Sequence, residues 1–304
     1  MSLERARHLL ARFRDQVKDH TPRPRRPDWD LAPEVGRDLL ESMLLARELD
    51  LCAHELRARG LGHYTICSTG HEANVVLGRL TGPSDPTIVH YRSAALQIER
   101  ARPMADIDPV RDIVLSLMAS SEEPVSGGRH KVFGSKPLGI IPSTSTIASQ
   151  LPRALGLAFA LERAPRLGVA LPNARTAIAV VTFGDASLNH STALGTLNAT
   201  SWTLHQKLAV PLLFVCEDNG LGISVRTPEG WVETRLRAQP HVEYFDADGS
   251  DLAGAFRAAR GAIEYCRRTR RAALLRLGAV RLLGHAGSDV DTTYRSASEL
   301  EEAE

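Results

Sequence analysis

Two residues carry the simplest chemistry this chain could do: Asp185 and Asn219, each at the end of a short apolar run. The first run, Ala177 to Phe183, is too short and too β-branched to be anything but a buried strand, and it stops at Gly184-Asp185. The second, LLFVC after Pro211, stops at Glu217-Asp218-Asn219-Gly220. A helix-like segment from about Ser191 to Lys207 joins them. In an open parallel sheet both strand ends lie on the carboxyl edge, where ligands bind. Asp185 and Asn219, although 34 positions apart, would then face one small volume. One carboxylate, one amide oxygen, a backbone carbonyl and phosphate oxygens make up most of the near-octahedral oxygen set that Mg²⁺ demands. Gly184 lets the backbone approach closely, and the helix that follows offers unpaired N–H groups to a phosphate. The same two residues also suit a helix cap and a turn, so the pair alone leaves both roles open.

The elements that must position them follow from periodicity and punctuation. Residues 3–20 read as a helix with Leu3, Leu9, Leu10, Phe13 and Val17 towards one face, broken by the closely spaced prolines of TPRPRRPDWD. Arg23, Arg25 and Arg26 in that break suit a solvated linker or a partner-contacting arm. A long amphipathic helix is expected from Pro33 to Arg59 with Leu39, Leu40, Met43, Leu44, Leu49 and Leu56, stopped by Gly60 and Gly62. A second follows from His71, then a short strand at Thr87-Ile88-Val89 that ends in His90-Tyr91-Arg92. Helices at Ser93–Arg102, Pro109–Ala119 and Leu151–Arg163 flank a Ser-, Gly- and Pro-rich stretch, 120–149, which reads as one long loop of the functional or disordered kind. Residues 225–240 read as irregular and mobile. A strand at Val242–Phe245, a helix at Asp251–Arg268 and a strand at Ala272–Leu277 complete the pattern. Alternating strands and helices predict an α/β fold, a doubly wound parallel sheet with helices on both faces, preceded by a helical N-terminal arm. The domain division expected is 1–32 for the helix and Pro/Arg-rich linker and 33–304 for the α/β body.

Composition removes several function classes. The formal net charge of +1 gives no electrostatic reason to expect nucleic acid or an anionic membrane as partner. No apolar run approaches the ~18 residues of a spanning helix, and the N-terminus alternates charge with leucine where a signal peptide would carry an apolar core. Cys52, Cys67, Cys216 and Cys266 are scattered without CxxC spacing, which fits a reducing, cytoplasmic setting better than disulfides or zinc.

The segment from Gly184 to Leu221 resembles the thiamine-diphosphate motif, a Gly-Asp-Gly followed by a double Asn after a hydrophobic strand. In particular it resembles the alpha-type part of the decarboxylating component of 2-oxo acid dehydrogenase complexes, of the pyruvate or branched-chain type. Two residues depart from that motif, Ala186 for the third Gly and Asp218 for the first Asn, and the spacing is slightly longer. The resemblance covers about residues 35–300 with several motifs in order. It implies a thiamine-diphosphate-binding fold in which Asp185, Asn219 and the backbone carbonyl of Leu221 hold Mg²⁺, with Gly184 and Ala186 beside the cofactor. HYRSAALQIER matches the family's Tyr-Arg segment, which implies diphosphate contacts from Tyr91 and Arg92 and a weaker one from His90. Alone, those residues would also serve as a loop anchor and a salt-bridge partner. GIIPSTSTIASQ is similar to the stretch that grips the aminopyrimidine ring, implying a polar contact from Ser145 and support from Ile147, which composition alone would place in an ordinary core. GGRHKVFGSK is similar to the segment lining the entrance and leaves His130 as a substrate-side contact. RLLGHAGSDVDTTYRSASELE resembles the family's His-bearing loop, making His285 the catalytic candidate near the diphosphate, with Tyr294-Arg295 pinning the loop. Ala286 stands where animal enzymes carry a regulatory phosphoserine.

The activity implied is oxidative decarboxylation of a 2-oxo acid with acyl transfer to lipoamide. The implied partners are a beta-type half that supplies the activating Glu, a lipoyl-bearing acyltransferase, and a second alpha-beta unit to form a heterotetramer. The chain stops at Glu304, where stand-alone alpha subunits continue through further helices. It is therefore expected to be the alpha-type half of a fused chain, or a fragment of one, inactive without the beta-type half. Two other functions fit the residues. One is a non-catalytic scaffold or regulatory module that keeps the fold, for which Ala186 and Asp218 speak. The other is an acetoin-dehydrogenase-like thiamine enzyme.

Overall fold

The computed structural model describes residues 3–19, 29–63, 66–129, 131–171 and 173–304; Arg23, Arg25, Arg26 and His130 lie outside them. The chain begins with α1 (Leu3–Lys18) and α2 (Pro33–Ala58), then a 3₁₀ turn (Glu72–Asn74) running into α3 (Val75–Leu80). Next come β1 (Thr87–Ile88), α4 (Ala94–Ala101), α5 (Pro109–Leu117), β2 (Val132–Ser135), β3 (Ile140–Thr144) and α6 (Gln150–Arg163). The second half holds β4 (Ala179–Gly184), α7 (Ser191–His205), β5 (Leu212–Asp218), a small hairpin of β6 (Leu221–Gly222) and β7 (Val225–Arg226), and α8 (Trp231–Arg237). It closes with β8 (Glu243–Ala247), α9 (Leu252–Thr269), β9 (Ala273–Gly278) and α10 (Ala297–Glu302).

Seven strands form one sheet in the order β2-β3-β1-β4-β5-β9-β8. All neighbours are parallel except β2 and β3. Side-chain alternation along β4 and β5 divides the core in two, as a strand buried on both faces requires. Val180, Leu213 and Val215 pack under α2, α3, α4 and α9. Val181, Phe183, Leu212, Phe214 and Cys216 pack under α6, α7 and α8. The doubly wound sheet with helices on both faces is therefore the architecture of the chain.

Three segments differ from the sequence expectation. The stretch 120–149 is not one loop, because β2 and β3 form an antiparallel pair at one edge and β3 runs beside β1. Their pattern is hidden by Gly134 and Pro142: the register shifts between Phe133 and Ser135, and a Cβ on Gly134 would lie 2.9 Å from Pro142 Cα. Glycine at a close backbone approach and proline at an edge are the usual marks of such an irregular strand. Residues 225–240 are not irregular throughout, since α8 starts after Gly230 (φ 70°) and buries Val232 and Leu236. The helix expected from His71 is split into the 3₁₀ turn and α3. The N-terminal helix docks on the body: Ala6 shares a cluster with Cys67 and Leu283, and the Arg5 guanidinium donates to the Leu282 carbonyl at 3.4 Å.

The loop before the 3₁₀ turn is tied down tightly, and this matters for the cleft described below. Asp50 Oδ2 accepts from Ser68 N, Thr69 N and Thr69 Oγ1, each at 2.6 Å. Gly70 sits at φ 93° with its missing Cβ position only 1.7 Å from the Val280 carbonyl oxygen. Backbone, not a yielding side chain, occupies that space. Gly70→Ala is therefore expected to destabilise the fold by at least about 3 kcal/mol, read as a lowered urea midpoint. A midpoint equal to that of the natural protein would show that this contact does not constrain the loop.

Candidate active site

The carboxyl ends of four neighbouring strands build one cleft of ≈ 600 Å³ including its mouth, a size that suits a small ligand. After β1 come His90, Tyr91 and Arg92; after β4, Gly184, Asp185 and Ala186; after β5, Asn219 and Leu221. His285 arrives from the loop beyond β9, and all of these line the cleft together with Ile147. Among the described residues, Ser145 is the one expected site residue that does not line it; His130 lies outside them. Strand β3 ends at Thr144, and the buried polar contact on that strand belongs to Ser143, whose hydroxyl donates to the Val89 carbonyl at 3.1 Å.

Asp185 is 3% exposed, and its Oδ2 accepts from Thr227 Oγ1 at 2.9 Å. Burial raises its pKa to about 6; the Thr227 hydrogen bond opposes the shift and the charge of Asp218 adds to it. No ion pair among the described residues reaches Asp185, so a buried carboxylate faces the cleft without a counter-charge. That is a deficit a cation would fill. Asn219 turns its Oδ1 to the Leu221 N–H at 3.0 Å, and this turn fixes the backbone of both residues. Among the described residues no group of three His, Cys, Asp or Glu side chains could hold a metal ion. A cation here would therefore rest on oxygens, from the Asp185 carboxylate, the Asn219 amide and the Leu221 carbonyl. Such a set suits a hard divalent ion and not a soft one.

Both departures from the motif have a local accommodation. A Cβ on Gly222 would come within 3.3 Å of Ala186 Cβ, so Gly222 supplies the space that the Ala186 methyl takes. Asp218 is drawn out of the cleft by Arg276, whose Nε donates to Oδ2 at 2.7 Å.

The opposite wall is basic. Arg92 lies 3% exposed; one guanidinium nitrogen donates to the Cys67 carbonyl and the other to His285, at 3.0 Å to Nδ1 and 2.9 Å to the carbonyl. Since the guanidinium can only donate, His285 Nδ1 must accept and its proton sits on Nε2. The loop is held by Asp289, whose Oδ2 accepts from His285 N at 2.6 Å and from the Tyr294 hydroxyl at 2.5 Å. Arg295 adds a hydrogen bond to the Arg281 carbonyl at 2.9 Å, so Tyr294-Arg295 does pin the loop. His90 is buried, its Nδ1 without a partner among the described residues, and burial followed by the charge of Arg92 keeps its imidazole well below the ordinary histidine range.

The sequence reading missed His71, Glu217 and Thr227. In the sequence His71 reads only as a helix start and Glu217 only as an acidic strand end; His71 lines the cleft and Glu217 lies beneath it, with His71 Nδ1 2.8 Å from Glu217 Oε2. No spacing rule links positions 71 and 217. Thr227 follows a two-residue strand too short to show a period.

An open α/β sheet with an acid–amide floor and a basic wall at its carboxyl edge defines a ligand-binding α/β protein. The chain belongs to the dehydrogenase E1 component family, whose model matches residues 40–304. The 2-oxoisovalerate dehydrogenase subunit alpha of Bacillus subtilis is 28% identical over 281 residues, spanning 90% of this chain and 79% of that protein. The mitochondrial 2-oxoisovalerate dehydrogenase subunit alpha 2 of Arabidopsis thaliana is 25% identical over 277 residues, 89% of this chain. This chain spans only 54% of the Arabidopsis protein. Among solved structures, a transketolase variant from Pichia stipitis aligns with a TM-score of 0.57 at 15% identity, over 80% of this chain and 36% of that one. That likeness is one of fold.

Burial, then the positive charges of Arg92 and Arg281, lowers the His285 pKa to about 4. The protonated form is thus disfavoured in the folded chain. The stability associated with the neutral imidazole is present above the unfolded pKa of about 6.5 and lost as pH falls towards 4. An NMR titration should find His285 neutral down to about pH 5 and, in Arg92→Ala, shifted partway up, since burial remains. Titration near 6.5 in the natural protein would contradict this account of the cleft.

Proposed function

We propose that this chain is the alpha-type part of the decarboxylating component of a 2-oxo acid dehydrogenase complex. In the assembled component it takes part in thiamine-diphosphate-dependent oxidative decarboxylation of a 2-oxo acid and acyl transfer to lipoamide. The observation that carries the reading is the convergence on one cleft of Tyr91-Arg92, Gly184-Asp185-Ala186, Asn219-Leu221 and His285, in a member of the E1 family. The fit of the residues supports it: a buried carboxylate without a counter-ion stands opposite a buried arginine and a histidine with an unpartnered ring nitrogen.

Asp185, Asn219 and the Leu221 carbonyl would hold Mg²⁺, and Tyr91, Arg92 and His285 the diphosphate end. Ile147, 41% exposed in the cleft, gives apolar support to the cofactor. When bound, thiamine diphosphate supplies a nucleophilic carbon and the electron sink that decarboxylation needs. The chain's residues bind and orient it. With its proton on Nε2 and its pKa about 4, His285 acts at neutral pH as a hydrogen-bond donor, not as a cationic acid. The Bacillus relative, at 28% identity, is a 2-oxoisovalerate dehydrogenase subunit, and pyruvate dehydrogenase alpha subunits stand at 25–26%, which leans towards 2-oxoisovalerate over pyruvate as substrate. Ile223 (52% exposed) and Val225 (70% exposed) leave an apolar rim, which supports closure of the mouth by a beta-type half in an alpha-beta heterotetramer. A lipoyl-bearing acyltransferase would then receive the acyl group. Four free thiols, three of them buried, are in keeping with a reducing, cytoplasmic setting.

The test uses the species purified from its source at native length. Thiamine diphosphate with Mg²⁺ should raise its melting temperature, and 2-oxoisovalerate should drive reduction of an artificial electron acceptor faster than pyruvate or 2-oxoglutarate. Both effects should vanish in Asp185→Ala. A natural protein that shows neither effect would be a scaffold that keeps the fold without the cofactor.

A further inference from the structure

Glu217 and His71 belong to none of the roles above, yet each side chain is only 1% exposed and they meet directly under the cleft. They are part of a hydrogen-bond chain with one direction. At its far end the Leu96 N–H donates to Asn74 Oδ1 at 3.0 Å, and Asn74 Nδ2 donates to the Arg92 carbonyl at 3.2 Å. That fixes the Asn74 amide, and its Nδ2 also lies 3.5 Å from Glu217 Oε2. Glu217 Oε2 therefore accepts, and it accepts again from His71 Nδ1 at 2.8 Å. A carboxylate has no proton to give, so the imidazole proton must sit on Nδ1. Because the Leu221 N–H can only donate, it fixes the Asn219 amide oxygen on its own side, so Asn219 Nδ2 is the group 3.1 Å from His71 Nε2 and that ring nitrogen accepts through its lone pair. The amide oxygen of Asn219 is left on the other side, where the Leu221 N–H meets it at 3.0 Å.

The two ends of a primary amide are nearly the same size, so packing alone scarcely distinguishes them. Hydrogen-bond polarity does. We propose that Glu217 and His71 are positioning residues that hold the Asn219 amide with its oxygen turned away from His71, where the lone pair not taken by the Leu221 N–H can ligate a divalent cation. The inference rests on the reading that Asp185, Asn219 and the Leu221 carbonyl form the cation site. Residues that orient a ligand from behind commonly change metal affinity by about 10–100-fold when removed.

The experiment measures Mn²⁺ binding in place of Mg²⁺, by loss of the free-ion EPR signal, on the native-length species with thiamine diphosphate present. His71→Leu keeps the volume but removes the relay, and should weaken Mn²⁺ binding at least about tenfold. His71→Gln, whose amide offers a donor and an acceptor, should stay within about threefold of the natural protein. The cycle with Asn219→Asp separates orientation from packing, because a carboxylate presents oxygen whichever way it is turned. In that background the His71→Leu effect should shrink to threefold or less. Equal affinities for His71→Leu and His71→Gln, or a His71→Leu loss unchanged by Asn219→Asp, would overturn the proposal. Should His71→Leu not fold, ¹⁵N shifts of the natural protein decide: a proton on Nδ1 of His71 upholds the relay, and one on Nε2 ends it. Natural protein that binds no Mn²⁺ at all would instead remove the cation site itself.

Discussion

The pairing of β4 with β5 is the constraint on which the rest depends. Six consecutive residues of each strand are in register, from Ala179 opposite Leu212 to Gly184 opposite Glu217. Parallel pairing sends both chains out of the sheet at the same edge and at nearly the same level. Asp185 and Asn219 then lie within a residue or two of the last rung, so neither can miss the cleft. The order β1-β4-β5-β9 across the sheet is also the order of the site residues, from Arg92 through Asp185 and Asn219 to His285. The outer two come from strands that do not touch. Their loops curl over the edge until Arg92 meets His285 at 3.0 Å, and this contact closes the cleft on its far side.

Charge within that edge is sorted with little waste. Asp218 precedes Asn219 and would double the negative charge beside Asp185, but Arg276 pairs with it at 2.7 Å and takes it towards β8, where Asp246 shares the same guanidinium at 3.0 Å. Asp185 is left as the buried carboxylate at the cleft. On the other wall Arg92 spends its donors on the Cys67 carbonyl and on His285, so the basic side is preorganised before any ligand arrives. A ligand that brings a cation for one wall and phosphate oxygens for the other answers both halves together. A simple anion or a simple cation answers one. The burial that raises Asp185 is the same burial that lowers His285 and His90: each is held nearer its neutral form by removal of water.

The sequence was informative where one strong pattern dominated. LLFVC and AIAVVTF could only be buried strands, and the residues that ended them had to lie at an edge. Ranking Tyr91-Arg92 or His285 above an ordinary loop residue needed the resemblance, since nothing local marks them. The hidden parts failed for specific reasons. Gly134 and Pro142 erased the alternation of β2 and β3 because the two backbones approach too closely for side chains to alternate. Helix α8 has seven residues and buries only Val232 and Leu236, too little for a visible period. The polar floor was invisible for a deeper reason: His71 and Glu217 are 146 positions apart, and what joins them is complementarity of donor and acceptor, which leaves no periodic trace.

That floor bears on the two positions that depart from the family's motif. A scaffold that had lost its ligand would have no need to keep the Asn219 amide in one orientation, nor to bury Glu217 with one oxygen lacking a partner among the described residues. Burying such a carboxylate costs stability, and an apolar side chain of similar size would pack the same space at lower cost. The expense is intelligible where the group sets the direction of a hydrogen-bond chain. Ala186 and Asp218, by contrast, are accommodated: Gly222 makes room for the methyl, and Arg276 pairs with the Asp218 carboxylate, whose charge still adds to the upward shift of Asp185. The substitutions that looked like decay are absorbed by their neighbours, and the side chains that would be useless in a decayed site are held in place.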